Sequence, residues 1–304
     1  MAAIQTQSLT RKFDDLTAVS ELTLSVEAGE IFGLVGPDGA GKTTTLRLLS
    51  SILEPTGGRA EVAGFDVVSQ AEQVKARIGY VSQRFGLYAD LTVMENLHFY
   101  ADIYGVTGRE RRERIDRLLA FADLEAFRRR RAGDLSGGMK QKLALACALV
   151  HTPAVLLLDE PTNGVDAVSR RDFWRILYQL LREGVTIVLA TSYMDEAERC
   201  SRVGLMHHGK LIACGTPTQI KGLMKGTILE ARTAQPRTAW TLLRQSLGGG
   251  VGLFGDRVHV VCQNAEATSE RIRAALGAAK MEVLDLRKVE PSLEDVFISI
   301  VGSD

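Results

Sequence analysis

One eight-residue run restricts this chain more than any other: Gly36-Pro37-Asp38-Gly39-Ala40-Gly41-Lys42-Thr43. It follows the apolar pentapeptide Ile31–Val35 and opens a helical pattern, Thr44–Leu53. A glycine-rich turn between a strand and a helix lets backbone N–H groups converge on an anion where the helix dipole favours one. In that setting Lys42 reaches the outer phosphates of a nucleotide, and the Thr43 hydroxyl ligates Mg²⁺. A strand, a tight loop and a helix in this order also bias the surrounding fold toward layered α/β structure.

The rest of the first two-thirds agrees. Strands are predicted at Leu22–Val26, Ile31–Val35, Ile78–Ser82, Val155–Leu158 and Val185–Ala190. The last two are unbroken apolar runs, as expected for strands buried on both faces of a mostly parallel sheet. Between them Ser169–Arg182 carries Phe173, Ile176, Leu177, Leu180 and Leu181 at helical spacing, with Gly184 as a stop. Thr92–Leu124 breaks the rhythm with two helical patterns parted at Gly105–Gly108, so a helical subdomain is expected at about 84–150. Residues 1–224 then form one domain. After Gly222–Gly226 a β-α-β-α-β order (Thr227–Thr233, Thr238–Leu247, Val258–Cys262, Ala267–Leu276, Met281–Leu286) suggests a small α+β domain at 225–304.

A phosphate-binding loop needs an acidic metal partner at the end of a neighbouring strand. Val155–Leu158 runs straight into Asp159-Glu160, which places Asp159 to orient Mg²⁺ and Glu160 to polarise an attacking water. Leu135-Ser136-Gly137-Gly138-Met139 by itself is a helix N-cap with glycines. Downstream of a phosphate loop, its serine hydroxyl and helix-opening N–H groups make a second phosphate-binding surface. Two such cradles in one chain suggest nucleotide held between two subunits.

In this order and spacing the residues resemble the ATP-binding cassette family of P-loop NTPases, over about the first 220 residues. The intervals are 41 residues from Lys42 to Gln83, 53 from Gln83 to Ser136 and 23 from Ser136 to Asp159. The resemblance makes Gly36–Thr43 the phosphate-binding loop, with Thr44 directly after it in the nucleotide site. Gln83 is similar to the glutamine that links metal and water to the inserted helices, and Ser136, Gly137 and Gly138 to the signature motif. Asp159 and Glu160 are similar to the metal aspartate and catalytic glutamate, Asp166 to the aspartate at the dimer seam, and Phe13 to the aromatic residue stacked on adenine. Ser192 stands where the family usually carries a histidine, Asp38 where it carries asparagine, and Met139 where it carries glutamine. Serine can hydrogen-bond phosphate but holds no positive charge and shuttles no proton as imidazole does, so slow hydrolysis is an expectation. His207 and His208 precede Gly209-Lys210 and read as an exposed hairpin turn, the lesser alternative being that one of them substitutes for the histidine replaced by Ser192.

The resemblance implies an ATP- and Mg²⁺-dependent ATPase subunit that energises a separate integral membrane exporter. It would work with a second cassette, identical or not, at the cytoplasmic face of the membrane. Glu290-Pro291-Ser292-Leu293-Glu294-Asp295-Val296-Phe297 is similar to the tail of cassette subunits from drug- and polysaccharide-type exporters. Composition fits a protein that borrows its membrane span. Residues Met1–Phe13 show no secretory signal, and the longest uncharged run, Leu143–Leu158, is broken at His151, Thr152 and Pro153. Lys plus Arg and Asp plus Glu are 37 each, which argues against a nucleic-acid partner. Arg128–Arg131 reads as a solvated face. The four cysteines, with no CxxC pair, read as free thiols. Two other readings are a soluble cassette ATPase acting on ribosomes or DNA and a nucleotide-gated module with little turnover.

Overall fold

A computed structural model describes residues 2–84 and 86–301. The chain divides into two compact units, 1–211 and 212–304. The helix Pro217–Lys221, expected with the first domain, therefore groups with the second.

The centre of the first unit is a six-stranded sheet. Its spatial order is Lys210–Gly215, Arg202–His207, Ile31–Val35, Thr186–Thr191, Val155–Asp159, Ile78–Val81. The four pairings from Arg202–His207 to Ile78–Val81 are parallel. Every residue of Ile31–Val35, Val155–Asp159 and Thr186–Thr191 is buried, because helices and a second sheet cover both faces. In such sheets ligands bind beyond the carboxyl ends of the strands. Here those ends are joined: Gly36 N–H donates to Thr191 O (3.3 Å), and Glu160 N–H to Ala190 O (2.9 Å).

That second sheet is antiparallel, in the order Leu16–Glu27, Ala2–Phe13, Gly57–Val62, Phe65–Asp66. Only Leu22–Val26 was expected of it. Ala2–Phe13 is too polar to read as a strand, yet it turns Ile4, Thr6 and Leu9 inward. Thr6 is buried without loss because its hydroxyl donates to Leu22 O (2.9 Å) and accepts from Leu24 N–H (3.0 Å).

The inserted helices are Val93–Ile103, Gly108–Phe121 and Gly137–Leu149, with a core that includes Leu97, Ile115, Leu119, Leu143 and Cys147. A reciprocal Thr92–Glu95 capping box starts the first of them. The arginine run is part of this framework: Arg128 pairs with Asp116 (2.9 Å), and the carbonyls of Arg128 and Arg130 accept the Met94 and Val93 amides. All four cysteines are free. Among the described residues no helix is long and apolar enough to cross a membrane.

The second unit is a four-stranded antiparallel sheet ordered Val251–Phe254, Arg257–Cys262, Thr227–Thr233, Val283–Val289. Helices Pro236–Leu247 and Ala265–Ala278 cover it through Ala239, Leu243, Ile272 and Leu276. The sequence hid Val251–Phe254 behind the Gly248–Gly250 run, and showed Leu293–Val301 as a motif rather than a helix.

His259 ties that last helix to the sheet. Its imidazole, 11% exposed, meets Asp295 Oδ1 through Nδ1 (2.8 Å) and Glu230 Oε2 through Nε2 (3.3 Å). Glu230 also takes Arg257 (2.9 Å) and Arg287 (2.8 Å), and Asp295 caps the Ser292 amide (2.8 Å). Burial alone would lower the His259 pKa, but Asp295 and Glu230 outweigh it and raise it above the ordinary value. For Glu230 and Asp295 burial pushes upward and their donors outweigh it, so both sit below the usual carboxylate range. A raised imidazole stabilises fully below its unfolded value and loses that contribution as pH rises through the folded one; lowered carboxylates do the reverse at acid pH. The second unit is therefore firmest between about pH 5 and pH 6.5. Its calorimetric transition in the full chain should fall as pH rises from 6 to 8.5, and His259→Gln should flatten that slope. An unchanged slope in the variant would remove His259 from the account.

Candidate functional site

Four strand ends meet at one edge of the parallel sheet. Ile31–Val35 delivers the glycine-rich loop, Val155–Asp159 delivers Asp159 and Glu160, Thr186–Thr191 delivers Ser192, and Ile78–Val81 precedes Gln83. A cavity of about 560 Å³ opens there, lined by the loop from Asp38 to Thr44 together with Phe13, Gln83, Glu160 and His208.

The loop is shaped by its glycines at one position above all. Gly41 has φ of 102°, a left-handed value, and a Cβ there would lie 2.4 Å from the Ala18 carbonyl oxygen. The helix Lys42–Leu49 starts at that residue with no side-chain cap, so its first amides are left to a ligand. Lys42 folds back: its ammonium donates to Gly36 O (2.8 Å) and Pro37 O (3.1 Å) and lies 3.2 Å from Glu160 Oε1. Lys42 and Glu160 side chains are only 5% and 6% exposed. The other Glu160 oxygen, Oε2, accepts from Ser192 Oγ (3.3 Å). Glu160 itself sits at φ 49°, a left-handed conformation that a side-chain-bearing residue adopts rarely.

Thr43 Oγ1 donates to Asp159 Oδ1 (2.9 Å), while Tyr80 OH approaches Oδ2 (3.5 Å). Burial raises the Asp159 pKa; the Thr43 hydrogen bond opposes this and the Glu160 charge adds to it. Among the described residues no three His, Cys, Asp or Glu side chains cluster as a self-sufficient metal site. A hydroxyl and a carboxylate in mutual contact suit Mg²⁺, which takes oxygen ligands and completes its shell with water and substrate phosphate. Asp159 would hold the ion with Thr43, and the ion's charge would add to that of Arg47 and Lys42 in offsetting the burial of the carboxylate.

Phe13 is 38% exposed at the far end of the cavity, with the Arg11 guanidinium 4.5 Å from its ring centroid. One face of the ring is thereby taken. Ser136, Gly137, Gly138 and Asp166 are not in the cavity wall. Ser136 caps the helix Gly137–Leu149 by accepting from Met139 N–H (3.3 Å), and both Ser136 and Gly137 face solvent. Asp166 caps Ala167–Arg182 by accepting from the Val168 and Ser169 amides (both 3.0 Å), and the Ser169 hydroxyl first, then these amides, hold its carboxyl below the usual range. The two helices touch where a Cβ on Gly138 would come 2.7 Å from Ser169.

One feature escaped the sequence reading. Glu196, 1% exposed, accepts from Thr162 and from Thr191 (2.8 Å to the latter), which pins the loop bearing Ser192 to the turn after Glu160. Nothing in Met194-Asp195-Glu196-Ala197 marks that carboxylate as buried. His208 was read as part of an exposed turn; it is exposed on that turn and also lines the cavity.

A phosphate-loop α/β cassette with an inserted helical layer is the class that this fold and site define. Residues 19–163 match the family described as ABC transporter. The chain is 44% identical over 308 residues to the probable multidrug ABC transporter ATP-binding protein YbhF of Escherichia coli (strain K12), covering 99% of this chain and 52% of that protein. It thus spans about half the length of that relative. It is 37% identical over 309 residues to the Nod factor export ATP-binding protein I of Burkholderia pseudomallei (strain 1710b), covering 100% of this chain and 98% of that one. An ATP binding subunit of an ABC transporter aligns with a TM-score of 0.67 at 28% identity, over 73% of this chain and 92% of that one. A dimeric cassette in a post-hydrolysis state bound to ADP and Pi aligns at 0.64 and 26%, over 70% and 98%. The chain belongs to the ATP-binding cassette transporter family.

Proposed function

We propose that this chain is the ATP-binding and ATP-hydrolysing subunit of an exporter, working with a separate integral membrane subunit at the cytoplasmic face. The observation that carries this reading is the junction of Lys42, Thr43, Asp159 and Glu160 at one strand edge, with Ser136 exposed and outside that cavity. Two cassettes, identical or not, close so that the Lys42 loop of one and the Ser136 turn of the other grip one triphosphate. Residues 36–44 cradle the phosphates, Phe13 stacks on the base, and Asp166 stands at the seam. Thr43, Gln83 and Asp159 serve Mg²⁺, which supplies charge neutralisation of the phosphates when bound. Glu160 accepts the proton of the attacking water, and Ser192 positions Glu160. Phosphoryl transfer asks little more of a protein than this placement of charge.

The printed names of the relatives, a probable multidrug transporter subunit and a Nod factor export subunit, support an exporter. The tail Glu290–Phe297 points the same way. Sizing of Glu160→Gln with saturating ATP and Mg²⁺ tests the sandwich: it should elute as a dimer, and adding Ser136→Glu should return it to monomer without loss of ATP. A Glu160→Gln chain that stays monomeric with ATP bound would overturn the paired-cassette reading.

Ser192 is the expected handicap on turnover, since its hydroxyl touches Glu160 but carries no charge. Ser192→His should raise the steady-state rate several-fold, short of the about 10²-fold or more that a fully positioned acid–base group contributes. Phosphate release per chain is the measurement, and an equal or lower rate would clear Ser192 of that role.

A further inference from the structure

We propose that His208 is a nucleotide-contacting residue of this site, donating a hydrogen bond to the anionic phosphate chain from the cavity wall it shares with the glycine-rich loop. This rests on the reading above that the cavity takes ATP. His208 lies in the turn between strands Arg202–His207 and Lys210–Gly215. That turn is fastened on two sides: Gly209 N–H donates to Ala40 O (3.0 Å) in the cavity-lining loop, and Ser20 N–H of the strand Leu16–Glu27 donates to Gly209 O (2.8 Å). His208 is held at φ 45°, a left-handed conformation that a side-chain-bearing residue adopts rarely. A turn indifferent to its side chain would be relieved by glycine or asparagine at that position.

Charge shows what an imidazole does there. Among the described residues lining the cavity, Lys42 and His208 are the two with basic side chains, facing the carboxylates of Asp38 and Glu160. Lys42 is already drawn to Glu160 at 3.2 Å. A triphosphate entering this space meets two like charges and one shared cation. An imidazole N–H of His208 adds a second donor to phosphate oxygen beside that single cation, a charge-assisted one when the ring is protonated. The groups around the imidazole are Asp38, Lys42 and Glu160 on the wall, the His207 ring with its centroid 4.0 Å away, and Lys210 next in the turn.

The test is the Kd for ATP with Mg²⁺ by equilibrium dialysis at pH 6.0 and pH 8.2, on the full chain. Asparagine tolerates the left-handed backbone, so His208→Asn removes the donor with little strain. It should weaken ATP about tenfold at pH 6.0 and hardly at all at pH 8.2. His208→Arg should bind tightly at both. Comparing variant with wild type at each pH cancels the titration of ATP itself. A loss of equal size at both pH values would reveal a merely structural turn and overturn the proposal, as would no loss at pH 6.0. Lys42→Ala serves as the binding-dead reference. Wild-type protein binding no more ATP than that reference would sink the cavity's assignment itself, a result distinct from wild-type binding that His208 variants leave untouched.

Discussion

Glu160→Gln should bind ATP more tightly than the parent while hydrolysing it about 10²- to 10⁴-fold more slowly. The two halves of that result have separate causes. An amide cannot take the proton of an attacking water, which removes turnover. The gain in affinity comes from the ground state, where Glu160 Oε1 lies 3.2 Å from the Lys42 ammonium and both side chains are nearly closed off from solvent. ATP must take the ammonium from that partner, and a neutral glutamine gives it up more readily. Glutamine keeps the side-chain length, so the contact with Ser192 Oγ is preserved in kind. Single-turnover phosphate release together with an ATP titration reads both halves. Parental hydrolysis in the variant would remove Glu160 from the chemistry, and weaker binding would show that the Lys42–Glu160 pair does not compete with ATP.

Lys42→Ala should lose ATP by about 10²-fold or more, the size expected when a buried, charge-paired donor to an anion is truncated. It should also lower the melting temperature without ligand, because Glu160 then stays buried with its carboxylate uncompensated, a cost of about 3 kcal/mol. The Lys42→Ala, Glu160→Gln double variant separates the effects. Removing the orphaned charge should restore most of the stability and none of the ATP affinity. Additive losses of stability in the double variant would mean that the two groups do not act as a pair.

Much of the site was legible because it is local. Gly36–Thr43 requires only a strand before it and a helix after it, and Val155–Leu158 points Asp159 and Glu160 by its own apolar pattern. The polar inner strand Ala2–Phe13 was not legible, since its burial depends on Leu16–Glu27 and Gly57–Val62 pairing on either side. Glu196 was hidden for a similar reason. Its partners Thr162 and Thr191 arrive from two other strand ends, and short-range pattern carries no information about them.

Residue order alone fixed the phosphate loop, the acidic strand end, the serine-capped second cradle and the α/β layering. Backbone sterics and side-chain periodicity act over a few residues, and those signals survive in a linear chain. Three-dimensional packing decided the rest: that Lys42 is held by Glu160, that Thr43 meets Asp159, and that His208 lines the same cavity. These contacts join segments more than a hundred residues apart, and they exist only because parallel pairing aligns the carboxyl ends of the strands at one edge.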